Sequence, residues 1–471
     1  MPKKTKIVAT ISTLNCSVDF IQGLYKAGMN VVRLNTAHMS HEDALVVINN
    51  TRKISGKIGI LLDTKGPEIR TCDAVEELSV KCGDKIRIKG YSGERSQGDI
   101  ICVSHEKFVQ DVPVGSSVLI DDGDILLAVE AKDEEYLCCS VENDGIIKQR
   151  KSINIPSVHV KLPALSDKDK EFIRFAADND LDFIAHSFVR NKDDVVAVQQ
   201  ILDEKKSSIK IISKIENYDG VQNLDEILDH SYGVMIARGD LAVEIPAEQI
   251  PLIQKRIINT CIERRRPVIV ATQMLHSMID SPRPTRAEVS DVANACLDHA
   301  DALMLSGETA SGKYPEMAVR IMNKIIREVE SKQKPFINVS YNHENKITAY
   351  LAKAAVKAAL RLNTKAIIAD SLTGKSILAL SAYRGSNVIY AQIYDNRVMR
   401  QLSLSYGVYS EYTMMDITST EPLRRSICRL IGDNKFHDED LIIVLAGSFG
   451  TAQGASYIEI STAANFKTKC G

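Results

Sequence analysis

The chain lacks several features that would assign it to a specialised class of protein. It contains no run of 18 or more apolar residues, so no membrane-spanning segment is expected. It has no strongly basic block and a formal net charge of −2, which gives no reason to expect nucleic-acid binding. The apolar part of its N-terminus is too short for the core of a secretory signal peptide. We therefore expect a cytoplasmic protein without a membrane or nucleic-acid partner.

Cysteine pairs with metal-ligand spacing are also absent. The chain has ten cysteines but no CxxC motif, and the adjacent Cys138 and Cys139 cannot both serve one tetrahedral metal site. We expect reduced thiols that act as small hydrophobic side chains, as is usual in the cytosol. What is present is 471 residues of ordinary globular composition, 44% hydrophobic and 25% charged. Such a length predicts roughly two to four domains rather than one core.

Eight short apolar runs that end in polar residues define the architecture. They are centred near residues 8, 32, 61, 186, 213, 236, 270 and 304. All intervals but one fit a single strand–helix unit, and the long third interval holds roughly 90 additional residues. Short alternating runs between Gly and Asp turns fill that stretch and predict an inserted all-β domain. Eight parallel strands in strand–helix order predict an α/β fold, a (β/α)₈ TIM barrel.

A second α/β domain is predicted at the C-terminus. The polar segment NVSYNHENK marks a boundary near residue 345, and an alanine-rich helix over Ile347–Leu360 follows it. Five further strand patterns, AIIAD, NVIYAQI, GVYSEYT, LIIVLAG and SYIEIST, complete a domain large enough to fold alone. The predicted barrel covers residues 1–70 and 156–345, the inserted domain residues 71–155, and the C-terminal domain residues 346–471.

Polar side chains gather where the predicted barrel strands end, which is where the active site of such a barrel lies. The fifth strand ends with Lys214 and Glu216, and the sixth with Arg238 and Asp240. Residues two apart in a strand share a face, so each pair can point the same way. These charges either form salt bridges that close the edge of the sheet or belong to one shared site. The other strand ends carry Arg33, Asn35, Asp63, Thr64, Lys65, Thr272, Gln273, Ser306, Gly307, Glu308 and Thr309.

The chemistry of this set favours a site that handles a phosphoryl group or an enolate. Glu216 and Asp240 offer hard oxygen ligands without Cys or His, which favours Mg²⁺ or Mn²⁺ over Zn²⁺. Lys214 and the nearby arginines supply positive charge for phosphoryl oxygens or an enolate. His38 and His186 are the only histidines near the strand ends, so a hydrolytic triad is not expected.

Longer motifs point to a family. The segments IGILLDTKGPEIR, IISKIENYDG, MIARGDLAVEIP, ATQMLHSMIDSPRPTRAEVSDVANA and MLSGETASGKYP resemble pyruvate kinase, and the domain order matches along nearly the whole chain. The resemblance implies transfer of the phosphoryl group of phosphoenolpyruvate to ADP, giving pyruvate and ATP, with Mg²⁺ and usually K⁺. It further implies that the inserted domain is a small β-barrel lid and that the enzyme is a homotetramer with an effector-binding C-terminal domain.

The resemblance also implies roles for individual residues. Lys214 is expected to neutralise charge on the transferring phosphoryl group and on the enolate, and Glu216 with Asp240 to hold Mg²⁺. Arg238 has no implied role, and we expect an ion pair that supports the site. The remaining implied residues are Arg33, Gly239, Asp240 and Thr272 for substrate binding, Thr272, Ser306 and Glu308 for catalysis and the proton path, and Asn35, His38, Arg70 and Lys151 for the nucleotide.

The implied K⁺ site departs from the family pattern. The resemblance places K⁺ at Asn35, Asp63 and Thr64, but Ala37 stands where the family has a serine that donates an oxygen ligand. A water molecule or the hydroxyl group of Thr36 would have to replace that ligand. We therefore expect K⁺ dependence that is weakened rather than absent.

The loop SLTGKS in the C-terminal domain resembles an effector-phosphate loop. It follows a strand and opens a helix, and small hydroxyl groups, a glycine and a lysine at a helix N-terminus form an anion site. The final loop, AGSFGTAQGASY, lacks the Arg or Trp that grips a bisphosphate in some relatives, so a phosphorylated sugar is the expected effector. The alternative is a capped helix that binds nothing. The implied effector residues are Ser371, Thr373, Lys375 and Ser376.

Two other functions compete with this interpretation. A metal-dependent barrel lyase or aldolase would need a similar carboxylate pair, but it would not explain the inserted domain and the C-terminal domain. A phosphometabolite-binding regulator with an inactive barrel site would predict the loss of Lys214, Glu216, Asp240 or Thr272, and all four are present.

Overall fold

The computed structural model describes residues 2–91, 93–156, 158, 160, 162–335, 345–414, 421–432, 435–447 and 454–468. Its first part alternates strands and helices, as predicted. Ser17 and Ser40 cap the two helices through their hydroxyl groups, and Ser40 forms a capping box with Asp43. The elements, numbered along the chain, are β1 (Lys6–Ile11), α1 (Val18–Ala27), β2 (Val31–Asn35), α2 (His41–Ile54) and β3 (Gly59–Asp63).

The inserted domain follows β3, and it is built of strands as predicted except for one short helix, α3. Seven of its strands form a sheet in the order β4-β12-β8-β9-β10-β6-β7, and β11 pairs with β5. At the ends of the edge strands β4 and β7, two backbone hydrogen bonds of 2.8 Å, Ser104 N to Arg70 O and Cys72 N to Cys102 O, bring the two edges of this sheet together. The elements are β4 (Ile69–Arg70), β5 (Leu78–Val80), β6 (Lys85–Gly90), β7 (Ile100–Val103), α3 (Phe108–Asp111), β8 (Ser117–Ile120), β9 (Ile125–Lys132), β10 (Leu137–Val141), β11 (Gly145–Ile147) and β12 (Ser152–Asn154).

The second part of the barrel restores the strand–helix alternation. All eight parallel strands close in the order β1-β2-β3-β13-β14-β15-β16-β17, and β17 pairs back with β1, so the predicted TIM barrel is confirmed. A capping box of Thr285 and Glu288 begins α10. The elements are α4 (Asp167–Asp178), β13 (Phe183–His186), α5 (Lys192–Glu204), β14 (Lys210–Ile215), α6 (Tyr218–Gln222), α7 (Leu224–His230), β15 (Gly233–Ala237), α8 (Arg238–Glu244), α9 (Ile250–Arg264), β16 (Val268–Ala271), α10 (Arg286–Leu297), β17 (Ala302–Leu305), α11 (Gly307–Ala310) and α12 (Pro315–Lys332).

The C-terminal domain has a five-stranded sheet in the order β20-β19-β18-β21-β22, in which β22 is antiparallel to the others. All five predicted strands are confirmed. The predicted boundary segment lies largely in residues 336–344, outside the described residues. The elements are α13 (Lys346–Arg361), β18 (Ala366–Ser371), α14 (Lys375–Ala382), β19 (Ile389–Ile393), α15 (Asn396–Gln401), β20 (Val408–Tyr412), α16 (Glu421–Gly432), β21 (Leu441–Ala446), β22 (Tyr457–Thr462) and α17 (Ala463–Thr468), with 3₁₀ turns elsewhere at Thr36–His38, Ala247–Gln249, His276–Ile279 and Leu402–Leu404.

The barrel interior is filled by side chains rather than by a channel. Alternate strand residues point inward, among them Val8, Phe183, Met235 and Ile269, and each of these is fully buried. At the N-terminal ends of the strands, Leu404 of the C-terminal domain joins the same cluster. Polar residues at the carboxyl ends therefore line a separate space above a packed core.

Ion pairs join the C-terminal domain to the end of the barrel at which the strands begin. Arg400 pairs with Asp182 at 2.5 Å and with Asp180 at 2.6 Å. Asp182 also accepts a hydrogen bond of 2.8 Å from the amide of Ile60, at the start of β3. A buried charge requires such partners, and these contacts fix the ends of β3 and β13 that lie farthest from the polar strand ends.

Two expectations from composition bear on the whole chain. Within the ranges that the structure describes, no helix combines the length and apolar character needed to cross a bilayer. Eight cysteines in the same ranges are free thiols. Cys428, however, is disulfide-bonded, so the expectation of reduced thiols throughout is wrong at this position.

Candidate active site

A cleft of about 440 Å³ opens at the carboxyl ends of the barrel strands. Residues from β2, β3, β14 and α8 form its floor, and Thr71 with Arg150 of the inserted domain form part of its wall. The structure thus brings together residues that lie far apart in the sequence. The predicted site residues that line the cleft are Arg33, Asn35, His38, Asp63, Thr64, Arg70, Lys214, Glu216 and Asp240.

Lys214 lies in the cleft floor, and its ammonium group contacts three oxygen acceptors. Its Nζ atom lies 2.9 Å from Glu216 Oε1, 3.2 Å from Asp63 Oδ1 and 2.8 Å from Ser187 Oγ. Burial by itself would lower the pKa of this lysine, but the carboxylates of Asp63 and Glu216 outweigh burial and raise it. Lys214 is therefore a fixed positive charge at physiological pH.

Asp63 links Lys214 to the second cation of the floor, Arg33. The Arg33 Nε atom donates to Asp63 Oδ2 at 2.6 Å, and Arg33 Nη1 donates to Thr10 Oγ1 at 3.0 Å. Burial would raise the pKa of Asp63, yet Arg33 and Lys214 hold it below its ordinary value. An ionised carboxylate between two cations keeps both of them oriented toward the open cleft.

Glu216, which is buried, and Asp240, which is partly exposed, form a pair of carboxylates that interact with each other. Burial and the nearby Asp240 raise the pKa of Glu216 to about 7, although Lys214 acts in the opposite direction. Burial also raises the pKa of Asp240. Two carboxylates that resist ionisation together, and that have only hard oxygen donors, fit a divalent cation such as Mg²⁺ or Mn²⁺. The donor chemistry of the pair thus agrees with the metal that the sequence implies.

The end of β13 contributes two contacts that the sequence interpretation missed. Ser187 accepts a hydrogen bond from Lys214, and the amide of Phe188 donates to Glu216 Oε2 at 2.6 Å. Ser187 directly follows His186, the last residue of β13, and the sequence predicts a strand centred near residue 186, so the nearness of Ser187 to a strand end was a usable signal. The Phe188 contact comes from the backbone, and the identity of a side chain cannot reveal it.

Thr272, Gly239 and Arg238 form a connected group beside this floor. The Gly239 amide donates to Thr272 Oγ1 at 2.8 Å. Arg238 donates to the Thr272 carbonyl oxygen at 2.8 Å and makes two bonds of 2.7 Å to the carboxylate of Asp291 on α10. The expected ion pair of Arg238 is thereby confirmed, and Asp291 is its partner. Both Thr272 and the following Gln273 have positive φ angles, 66° and 53°.

Ser306 and Glu308 follow β17 and lie next to the loop that carries Thr272. Glu308 is buried, and its carboxylate accepts the amides of Ser306 at 2.7 Å and Leu275 at 3.2 Å. The buried hydroxyl group of Ser306 has no hydrogen-bond partner among the residues that the structure describes. A buried polar group without a partner is unusual and marks a place where a water molecule or a substrate group can bind.

Only some of the residues expected to bind the nucleotide lie at the cleft. Arg70 lines the cleft, with Nε bonded to Glu68 Oε2 at 2.7 Å and Nη1 to the Arg150 carbonyl oxygen at 2.7 Å. Lys151 does not line the cleft, because its ammonium group pairs with Asp121 of the inserted domain at 2.9 Å. The structure therefore brings Arg70 to the site but leaves Lys151 outside it.

The oxygen atoms expected to bind K⁺ already accept hydrogen bonds from the protein. The Asn35 side chain accepts the Ala37 amide at 3.2 Å, and the Thr64 carbonyl oxygen accepts the Ser187 hydroxyl group at 2.6 Å. The Thr36 hydroxyl group donates to the Asp63 carbonyl oxygen at 2.9 Å and is buried, so it does not replace the missing serine oxygen. Both carboxylate oxygens of Asp63 face cations, and this donor set does not fit K⁺ well.

The predicted effector loop separates into exposed and internal residues. Thr373 and Lys375 are exposed, whereas Ser371 and Ser376 are buried. Ser371 Oγ accepts the Gly374 amide at 3.0 Å, and Ser376 donates to the Asp370 carbonyl oxygen at 3.3 Å. The final loop that was compared with bisphosphate sites includes residues 448–453, which lie outside the described residues.

Comparisons with known proteins point to one family along nearly the whole chain. Family models match over residues 2–319 ("Pyruvate kinase, barrel domain") and 350–461 ("Pyruvate kinase, alpha/beta domain"). A pyruvate kinase of Borreliella burgdorferi is 47% identical over 466 residues, which are 98% of this chain and 97% of that protein. One of Staphylococcus epidermidis is 41% identical over 454 residues, 94% of this chain and 78% of the relative.

A solved structure gives the same result. The crystal structure of a pyruvate kinase from Cryptosporidium parvum superimposes with a TM-score of 0.91 at 36% identity, and the match covers 98% of this chain and 96% of that chain. With both domains matched and relatives well above 30% identical over nearly the full length, this chain belongs to the pyruvate kinase family and is a kinase that transfers the phosphoryl group of phosphoenolpyruvate to ADP.

Proposed function

We propose that the cleft carries out this transfer with Lys214 as the group that neutralises the moving charge. Phosphoryl transfer depends mainly on positioning and on compensation of negative charge. Lys214 is buried, held by three acceptors and in contact with Glu216 of the metal pair, and this is the observation that carries the proposal. Arg33, fixed by Asp63, binds the phosphoryl group of phosphoenolpyruvate from the neighbouring strand end.

Glu216 and Asp240 hold the catalytic Mg²⁺ in this proposal, with Mn²⁺ as a substitute. When bound, the metal ion supplies Lewis-acid charge for the phosphoryl and enolate oxygens. The protein supplies the geometry, since the Phe188 amide fixes one oxygen of Glu216 and Lys214 contacts the other. The Gly239 amide binds the substrate carboxylate and exchanges its present acceptor, the Thr272 hydroxyl group, for that ligand.

Proton delivery to the enolate is assigned to the loops after β16 and β17. Thr272 lies beside the methylene carbon, and Ser306 with Glu308 continues the path behind it. The support is the free Ser306 hydroxyl group described above, together with the two amides that orient Glu308. Protonation of an enolate requires a positioned donor chain of this kind.

For the nucleotide we propose Asn35, His38 and Arg70 at the cleft. Lys151 joins them only if the inserted domain moves and the ion pair with Asp121 opens. K⁺ dependence is proposed to be weak, because position 37 lacks an oxygen and the other acceptors already have protein donors. No step of the reaction is assigned to K⁺.

The remaining parts of the proposal concern regulation and organisation. Thr373 and Lys375, the exposed residues of the effector loop, bind a phosphorylated sugar together with the hydroxyl groups of Ser371 and Ser376. The enzyme is proposed to be a cytoplasmic homotetramer. The domain limits are proposed as 1–70 with 156–345, 71–155 and 346–471, with Ile69–Arg70 already paired in the sheet of the inserted domain.

The test is a coupled assay for ADP-dependent pyruvate formation with Lys214→Met and Lys210→Met. Both positions lie on β14, but Lys210 lies at the opposite end of the strand. Lys214→Met should lose at least about 1,000-fold in kcat with an unchanged circular dichroism spectrum, and Lys210→Met should retain activity. Near-normal turnover by a folded Lys214→Met enzyme would refute the proposed role. Pyruvate formation without ADP would favour a lyase, and no turnover by the wild type would favour a regulator.

A further inference from the structure

The end of β13 is joined to the catalytic floor by a set of hydrogen bonds centred on Ser187. The Ser187 amide donates to Thr64 Oγ1 at 3.1 Å, and the Ser187 hydroxyl group lies 2.6 Å from the Thr64 carbonyl oxygen. The same hydroxyl oxygen lies 2.8 Å from Lys214 Nζ. Ser187 is only 1% exposed, so solvent does not compete for these bonds. One side chain therefore connects the ends of β3, β13 and β14.

The direction of these bonds follows from the chemistry of the partners. The Ser187 hydroxyl group has two acceptors that cannot donate, the Thr64 carbonyl oxygen at 2.6 Å and Asp63 Oδ1 at 3.3 Å, and the much shorter contact assigns its single proton to Thr64. The Ser187 oxygen is then left as an acceptor, and Lys214 is the donor within reach. An ammonium group has three protons, and Ser187, Asp63 and Glu216 provide three acceptors. Ser187 is the only uncharged acceptor of the three.

The next residue along the chain supports the same floor from its backbone. Phe188 has a φ angle of +55°, which is rare for a bulky residue, and its amide donates to Glu216 at 2.6 Å. Gly66, at φ +74°, makes room for this turn, since a Cβ atom there would approach the Ser187 Cβ and Phe188 Cδ2 atoms to 2.8 Å. Backbone strain of this kind persists where surrounding contacts enforce it. The turn thus presents a hydroxyl group to Lys214 and an amide to Glu216.

We propose that Ser187 is a positioning residue for Lys214 in phosphoryl transfer. Its hydroxyl group, oriented by Thr64, accepts a hydrogen bond from the ammonium group of Lys214. This bond limits how strongly Lys214 is attracted to Glu216. The inference rests on the role proposed above for Lys214. Without the hydroxyl group, the third ammonium proton turns toward Glu216 or Asp63, and Lys214 moves away from the position that meets the transferring group. A tighter Lys214–Glu216 pair also competes with the divalent cation for that carboxylate.

The experiment compares Ser187→Ala with Ser213→Ala. Ser213 is also fully buried, precedes Lys214 on β14, and shares its hydroxyl bond with Ser231 at 2.6 Å, away from the cleft. Ser187→Ala should lower kcat by about tenfold to 100-fold, because displacements of order 1 Å at a reacting group have this effect. Ser213→Ala should stay within about twofold of the wild type. The KM for phosphoenolpyruvate should change less than kcat in both variants.

A second readout separates positioning from simple packing. Binding of Mn²⁺, followed by electron paramagnetic resonance in the absence of substrate, should weaken severalfold in Ser187→Ala and remain unchanged in Ser213→Ala. Ser187→Thr retains a hydroxyl group and should recover most of kcat and of the Mn²⁺ affinity. If Ser187→Ala does not fold, Ser187→Cys replaces it, since a thiol is a weak acceptor of similar size, and it should show the same losses.

The outcomes distinguish this inference from the proposed function. Equal kcat and equal Mn²⁺ affinity in folded Ser187→Ala (or Ser187→Cys) and Ser213→Ala, with Lys214→Met inactive, would overturn the positioning role and leave the role of Lys214 intact. An active Lys214→Met enzyme would overturn both. Loss of kcat and of Mn²⁺ affinity on removal of the hydroxyl group, with recovery in Ser187→Thr, would support the inference.

Discussion

The ion pair between Arg238 and Asp291 leads to the sharpest mutational prediction. Arg238 makes two bonds of 2.7 Å to the Asp291 carboxylate, and its Nη2 atom also donates to the Thr272 carbonyl oxygen at 2.8 Å. Thr272 is β-branched and has a φ angle of +66°, a conformation that its own sequence does not favour. We infer that the pair holds Thr272 in place and thereby sets the position of its hydroxyl group.

The perturbation is Asp291→Asn, which preserves volume but replaces one carboxylate oxygen by an NH₂ group. One of the two charge-assisted bonds is lost, and such bonds contribute about 1.5–3 kcal/mol each. Arg238 and Asp291 are partly exposed, with side-chain exposures of 13% and 33%, so we expect a cost near the lower end. If Arg238 then releases the Thr272 carbonyl oxygen, a displacement of order 1 Å lowers kcat by up to about 100-fold.

Steady-state kinetics and thermal unfolding together test this reasoning. Asp291→Asn should lose about tenfold to 100-fold in kcat and only a few degrees in Tm. The matched control is Glu316→Gln, which breaks another arginine–carboxylate pair, with Arg320, on the exposed surface of α12. Exposed pairs contribute little, so the control should keep its kcat and its Tm. Wild-type kcat in Asp291→Asn would refute the idea that this pair positions Thr272.

Three further predictions concern ions and regulation. Ala37→Ser restores an oxygen ligand and should create or increase activation by K⁺ over Na⁺ and should add a K⁺-specific rise in Tm; equal responses of both proteins to K⁺ would contradict the weakened site. In the metal-free enzyme, the raised pKa of Glu216, about 7, means that the folded state binds more protons than the unfolded state between the ordinary glutamate pKa and 7. Its Tm should therefore fall as the pH rises through that range, and Mg²⁺ should reverse the trend; a Glu216→Gln enzyme that shows the same fall would exclude this carboxyl group as the cause. Lys375→Met should remove any shift that a sugar phosphate produces in the phosphoenolpyruvate saturation curve, whereas Lys365→Met, at the other end of β18, should leave it; an undiminished shift in Lys375→Met would place the effector elsewhere.

The barrel could be predicted because its information is local. Each strand is a short apolar run with one polar end, and several helices begin at a side-chain cap, so β1 to β3 and β13 to β17 follow from neighbouring residues alone. The same logic located Lys214, Glu216 and Asp240, because a strand end in a barrel faces the site whatever lies elsewhere in the chain. The position of these residues at the strand ends was enough to predict that they lie at the site.

The partners that complete the site lie far away in the sequence, and this is why the sequence did not identify them. Arg238 reaches Asp291, 53 residues further along, and Ser187 reaches Thr64 across 123 residues. The Phe188 amide and the positive φ of Thr272 are backbone features without a residue signature. Lys151 was placed at the site by resemblance, but its partner Asp121 belongs to the same inserted domain. The location of Lys151 depends on the orientation of that domain relative to the barrel, and no local sequence pattern encodes this orientation.

The sequence left open a choice between salt bridges and a shared site at the ends of β14 and β15, and the charges found there favour a shared site. Salt bridges do form, since Lys214 pairs with both Asp63 and Glu216. Among the five inner groups they do not balance, because two cations, Arg33 and Lys214, face the three carboxylates of Asp63, Glu216 and Asp240; Lys65, Arg70, Arg150 and Glu68 line the rest of the cleft. With all five ionised, this inner set has a negative net charge and disfavours an anionic phosphoryl group beside it, whereas a divalent cation makes the inner set positive. We therefore expect the metal ion to precede phosphoenolpyruvate, and phosphoenolpyruvate affinity measured by calorimetry without divalent cations should be weak; tight metal-free binding would show that Arg33 and Lys214 suffice alone.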